Sequence, residues 1–442
     1  MTSFRTKFAL LALAAAAASG CSILKKSTPK TPVLGERVAV LETEKDVVVD
    51  PATAALPMVL PDPVANTQWG QPGGNAAKAM GHVALGQSLG EAFSVGIGSA
   101  TTVRARLASA PVIADGRVYT IDTQSTVRAF DATSGASVWS TRFGTDPKNN
   151  ASLFGGGVAV EGGRVFATNG LGFVAALDAR NGGIVWQVRP GGPLRGAPSV
   201  TGDTVYAMSQ DNQIYSLKAA DGATNWSNAA ALEIAGVFGA GAPAFGQGTV
   251  VAGFSSGELN AYRYENGRLV WQDQLQRTSI RTSVASITDV DASPVIDSGQ
   301  VIAVGQGGRM VALELTSGQR IWELNVAGIS TPWVVGDWIF VATDDGRVLC
   351  VARGTGKVRW ITQLAAYRNT AKKAGPISYK GPILAGGRLI VASSEGAIIN
   401  LDPTTGAVQN QTAIRSPISV SPVVANSTLY ILGDDARLHA FR

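Results

Sequence analysis

Beyond the first twenty residues, apolar residues in this chain come in short runs broken by Gly, Asp and Asn, and no stretch keeps the 3.6-residue spacing of an amphipathic helix. The segment "APVIADGRVYTIDTQSTVRAFDATSGASVW", residues 110–139, sets the pattern. An apolar strand follows a proline, a Gly or Asp turn leads to a second strand, a polar turn leads to a third, and a "TSG"-like turn precedes a fourth that ends in tryptophan. The same order returns in "VAVEGGRVFATNGLGFVAALDARNGGIVW", "APSVTGDTVYAMSQDNQIYSLKAADGATNW", "APAFGQGTVVAGFSSGELNAYRYENGRLVW" and three further units, and "SPVVANSTLYILGDDARLHAFR" is an eighth, truncated one. Tryptophans at 139, 186, 226, 271, 322 and 360 are 47, 40, 45, 51 and 38 residues apart, the length of a four-stranded unit.

A four-stranded sheet that is apolar on both faces cannot stand alone. Packing such sheets radially buries every face and leaves only short edges, so the pattern predicts an all-β fold, an eight-bladed β-propeller of four-stranded antiparallel blades. The turn glycine supplies a left-handed conformation and the tryptophan braces one blade against the next. The eighth unit stops at Arg442 after three strands. "SLGEAFSVGIG", residues 88–98, has the form of the missing fourth, with Phe93 in the tryptophan's place. Pairing it with the C-terminal strands closes the ring and hides both edges.

The N-terminus reads differently. "MTSFRTKFALLALAAAAASG" has a basic start (Arg5, Lys7), an apolar run from Phe8 to Ala18 and small residues before Cys21, the organisation of an export signal. No later stretch reaches about 18 consecutive apolar residues, so no transmembrane helix is expected after it. Residues 1–20 are therefore expected to be a signal peptide, 21–67 a flexible tether and 68–442 the propeller. The tether is proline-bearing and without a core-forming period, and a flexible segment of its length spans roughly 35–40 Å. Loss of Arg5 and Lys7 takes the formal charge from +5 to +3. No basic cluster with interleaved aromatics accompanies it, so nucleic-acid binding is not expected. The small loop "AYRNTAKKAG" around Lys372 and Lys373 has no assigned partner.

Catalytic chemistry finds few residues. His82 and His439 are the two histidines, each read as a packing or strand residue, and Cys21 and Cys350 are the two cysteines. Cys350, inside "RVLCVA", is expected buried and inert. No nucleophile elbow, zinc-protease helix or phosphate loop occurs. The pairs Asp344/Asp345 and Asp434/Asp435 fall between second and third strands and are read as solvated turn residues. No metal or cofactor is expected.

The "ASGC" ending at Cys21 resembles the lipobox of bacterial lipoproteins, with Ala18 where leucine is usual. That resemblance implies acylation of Cys21, and Ser22 after it implies sorting to the periplasmic face of the outer membrane. Ordinary signal cleavage leaving a free thiol is the alternative. "ALDARNGGIVW" and "AFDATSGASVW" are similar to the blades of quinoprotein dehydrogenases, which implies an alternative function as a quinone-dependent oxidoreductase with pyrroloquinoline quinone and calcium. The adjacent cysteines many of those enzymes use are absent.

Anchor, tether and a propeller without catalytic groups together resemble the BamB family of outer-membrane assembly lipoproteins. The resemblance implies a non-enzymatic scaffold of the β-barrel assembly machinery, bound to the POTRA domains of BamA and assisting nascent outer-membrane proteins. Two local matches carry it, "GGPLRGAPSV" and "ASITDVDASPVI", which make Leu194, Arg195, Asp289 and Asp291 the implied partner-binding residues. The family's earlier leucine is Gly192 here. Both loops lead into first strands, so they share one end of the propeller about a quarter turn apart. A structural role stands beside docking, since Asp before a strand makes Asx turns and Leu-Arg can line a channel mouth. An envelope propeller that binds glycans is a third reading.

Overall fold

The computed structural model describes residues 46–146, 155–233, 241–275 and 288–442. The signal segment, Cys21 and the first part of the expected tether lie outside them. Among the described residues are eight four-stranded antiparallel sheets and one two-stranded hairpin. Blade 1 is built from Val112–Ala114, Arg117–Ile121, Thr126–Asp131 and Ser137–Arg142, and each following repeat forms the next blade in the same order. Burial falls from the inside outward: in blade 2 the third strand, Val174–Asp178, is buried along nearly its whole length, whereas the fourth, Ile184–Val188, is half-exposed. That gradient follows from radial packing, in which the outermost strand is the one left facing solvent at the rim.

The tryptophans brace the blades as the repeat implies. Trp139 of blade 1 donates its indole N–H to Ala179 O of blade 2 at 3.0 Å, and Trp186, Trp226, Trp271, Trp322 and Trp360 each donate to a carbonyl of the following blade at 2.7–2.9 Å. Opposite each indole on the third strand stands a small residue, Ala129, Ala176, Ser216, Ala261, Ala312 or Cys350, which makes room for the ring. The turn glycine has a second role that the turn alone does not show. Gly318 has φ +71°, and a Cβ there would lie 2.5 Å from the Trp271 ring. Glycine is thus required by the backbone and by the ring stacked on it.

Ring closure follows the sequence. Glu91–Gly96 pairs with Arg437–Phe441, so blade 8 holds three strands from the C-terminus and one from the N-terminal side. Gly90 and Arg442 exchange backbone hydrogen bonds at 2.7 and 2.9 Å, and Phe93 lies against Gly135 of blade 1 as the tryptophans lie against their glycines.

Residues 46–67, expected within the tether, are packed on the propeller. Val49 forms a bridge with Val358 on the outermost strand of blade 6, and Asp50 caps the short helix Pro51–Ala54 by accepting from Thr53 N–H at 2.8 Å. From Asn66 to Val83 the chain circles one end of the central channel and bonds to all eight blades in turn. Asn66 donates to Val424 O in blade 8, and Trp69 exchanges two bonds with Ile113 in blade 1. Gly70 O accepts from Val160 in blade 2, and the Gln71 side chain pairs with the Val200 backbone in blade 3. Ala76 O and Ala77 O take the N–H groups of Phe245 and Ile296 in blades 4 and 5. Gly81 O accepts from the Trp333 indole in blade 6, and Val83 donates to Leu384 O in blade 7. Trp69 and Trp333 stack at 5.8 Å in this floor.

Lys78 belongs to the same segment and is 1% exposed. Its ammonium donates to Ser199 Oγ at 2.9 Å, and burial pushes its pKa down to about 7. His82 holds the segment to blade 7: Nδ1–H donates to Pro61 O, and Nε2 accepts from Gly387 N–H at 2.9 Å. His439 sits in its strand with Nδ1 2.9 Å from Glu91 Oε1. Cys350 is fully buried, and burial raises its thiol pKa strongly. Asp344 and Asp345 lie in the expected turn; Asp345 is exposed, but the surroundings of Asp344 desolvate its carboxyl and raise its pKa to about 6, so only one of the pair is a solvated turn residue.

Candidate functional site

The first strands of the eight blades line a central channel whose floor is the Asn66–Val83 segment. Its other end is formed by the loops leading into first strands. A cavity of about 140 Å³ occupies the axis between them, with Trp69, Pro72 and Gly73 at the floor and Asp291 and Lys380 among its lining residues.

Backbone hydrogen bonds fix both loops singled out from the sequence. Leu194 forms an antiparallel bridge with Ser209, and Arg195 N–H donates to Met208 O at 3.0 Å while Arg195 O accepts from Gly156 at 3.1 Å. Across the channel mouth, Asp289 O accepts from Gln306 N–H at 2.9 Å. These anchors bring three of the four residues into one ion cluster. Arg195 Nη2 lies 2.7 Å from Asp289 Oδ2 and 3.1 Å from Asp291 Oδ1, and the three side chains are 5%, 0% and 8% exposed. Leu194 does not join them; it is fully buried in the core between blades 2 and 3. Arg195 Nη2 is therefore engaged by this chain's own carboxylates, and the Leu194 side chain by packing.

Two carboxylates share one guanidinium in a dry place, and the electrostatics show it. Burial raises the pKa of Asp291 to about 7, the charge of Asp289 pushes it the same way, and Arg195 and Lys380 oppose the rise. Burial lowers the pKa of Lys380, with Asp291 and Asp344 acting against that. Sequence reasoning missed Lys380. It stands two residues before Pro382 in the seventh unit, as Gly196 stands before Pro198 in the third, so aligning the repeats on their prolines places it at the mouth.

Among the described residues no group of three or more His, Cys, Asp or Glu side chains could hold a metal ion, and no helix is long and apolar enough to cross a membrane. The cluster brings no nucleophile beside a base. Its chemistry is that of a charge-lined mouth on a closed ring.

The sequence model of the family described as outer membrane protein assembly factor BamB matches residues 99–153, 123–362 and 367–442. Similar relatives are the assembly factors BamB of Salmonella typhimurium, 29% identical over 375 residues (75% of this chain, 83% of the relative), and of Escherichia coli K12, 28% identical over 374 residues (75% and 83%). Among solved structures, BamB from Moraxella catarrhalis has a TM-score of 0.68 at 19% identity, covering 80% of this chain and 100% of that one. The quinohemoprotein alcohol dehydrogenase of Comamonas testosteroni has a TM-score of 0.62 at 15% identity, covering 85% and 80%, a likeness of fold alone. The repeat, its closure by a strand from the N-terminal side and a match that runs from residue 99 to the last strand agree: this chain belongs to the family of the outer membrane protein assembly factor BamB.

Proposed function

We propose that this protein is a non-enzymatic scaffold of the machinery that assembles β-barrel proteins in the outer membrane, held to the periplasmic face by lipid on Cys21 and docked on the POTRA domains of BamA. The observation that carries the reading is the family match over residues 123–362 and 367–442, with relatives named as assembly factors. The loops of Leu194–Arg195 and Asp289–Asp291 are the proposed docking surface. In the free protein the side chains of Arg195, Asp289 and Asp291 hold one another and Leu194 packs in the core, so they act by fixing the loop backbones that meet a partner. An Arg–carboxylate cluster of this kind sets shape and charge at the mouth without rearrangement on binding.

The test is recovery of the tagged lipoprotein from mildly crosslinked native outer membranes, with its companions identified by mass spectrometry. Recovery of BamA supports the reading. Its absence, with the bait intact and membrane-bound, overturns it. Charge reversal at Asp289 or Asp291 is a poor site test, because it places a cation beside Arg195 in a buried cluster. Substitutions of exposed neighbours in the same loops separate docking from folding.

A further inference from the structure

Seven of the eight blade junctions carry an aromatic ring from the outermost strand, six indoles and the Phe93 ring. The junction between blades 7 and 8 has none. There Asn410 occupies the tryptophan position, opposite Asn400 rather than a small residue, and the two side-chain amides bond to each other. At this junction lies a pocket of about 200 Å³, lined by Asn400, Asn410 and Thr412 from blade 7, by Leu429 and Phe441 from blade 8 and by Leu89, just before the closing strand. All of the outermost strand, Val408–Ala413, is exposed, so the pocket opens on the rim of the ring.

Its polar groups specify what would fill it. Asn400 is 8% exposed, and its Oδ1 is buried without a hydrogen-bond partner among the described residues. Buried acceptors are almost always satisfied, so an orphan in a pocket wall asks for a donor. At the six tryptophan junctions the ring brings a donor of its own, an indole N–H given to a carbonyl of the following blade. The carbonyl of Arg442, which follows the third strand of blade 8, already accepts from Gly90. Arg388 also lines the pocket, and its N–H groups already have acceptors in Gly86 O at 2.7 Å, Gly386 O and Gln87 Oε1.

We propose that the junction of blades 7 and 8 is a binding site for a neutral planar aromatic group bearing an N–H donor, of the indole class, which takes the place the repeat fills with its own tryptophan at six other junctions. The site is independent of the channel mouth and of the scaffold reading.

Indole is the probe, titrated against the full chain by ligand-observed NMR and calorimetry, with 1-methylindole as the analogue lacking the donor. Saturable indole binding is expected, at least about tenfold weaker for 1-methylindole, since a buried acceptor left unpaired costs about a tenfold step or more. Asn400→Ala with Asn410→Trp rebuilds the small-residue and tryptophan pair of the other blades. It is expected to fill the site and weaken indole binding at least tenfold, roughly the effect of one lost hydrogen-bonded contact. Thr412→Trp, at an exposed position, blocks the mouth of the pocket should the double variant not fold. A second arm uses N-acetyltryptophanamide: binding comparable to indole points to a tryptophan of a partner protein, and binding of indole alone to a small molecule. No saturable binding to the wild-type chain, or binding unchanged in every folded variant, overturns the proposal.

Discussion

Replacing Arg195 by alanine tests the ion cluster at the channel mouth. The substitution removes the cation that lies 2.7 Å from Asp289 and 3.1 Å from Asp291, and leaves two carboxylates that are 0% and 8% exposed. Breaking a buried pair by removing one partner costs about 3–5 kcal/mol, because the remaining carboxylates lose the guanidinium without regaining water. At about 2.1 cal/mol/K of unfolding entropy per residue, a ring of this size loses roughly 4–6 °C of Tm.

The pH dependence gives the sharper check. Asp291 has a folded pKa raised to about 7, above the unfolded value. Its contribution is therefore fully present below the unfolded pKa and is lost as pH rises through about 7. Without Arg195, which opposes the rise, the loss is steeper. Differential scanning calorimetry of both proteins at pH 8 and pH 5 should show the full gap at pH 8 and a clearly smaller one at pH 5, where protonation relieves the variant. A Tm within about 1 °C of wild type at pH 8, corresponding to roughly 1 kcal/mol or less, or a gap that widens on acidification, would refute the buried-cluster reasoning.

Gly318→Ala should destabilise by about 1–3 kcal/mol, read from the chemical-unfolding midpoint, since it strains a φ of +71° and meets the Trp271 ring at 2.5 Å. Lys78→Met should be more stable than wild type at pH 7. The lowered lysine pKa means that wild type loses stability as pH falls from the unfolded value toward about 7, so the advantage should shrink as thermal melts are taken toward pH 10. Cys350 should stay unreactive toward a thiol reagent in the folded chain and react only on denaturation, because it is fully buried and its thiolate is disfavoured.

The candidate site was legible in part. Arg195 and Asp291 each stand three residues before the proline that opens a first strand, which put both at one end of the ring from the repeat alone. That they touch could not be read, because residues 94 and 96 apart meet only if the ring closes with blade 4 between them. The empty junction was visible as Asn410 in a tryptophan column, but its pocket depends on Leu89 and Phe441 arriving from opposite ends of the chain.

What the sequence determined by itself is the local and repeated part: strand, turn and brace recur because each unit pairs its own neighbouring strands through short turns, and the incomplete last unit names the strand that must close it. What only the tertiary structure decided is the course of residues 46–87. Asn66–Val83 shares one to three hydrogen bonds with each of eight different inner strands, so its residues answer to eight separate neighbours and carry no period of their own. A segment satisfied one blade at a time looks like a linker until the ring exists for it to close.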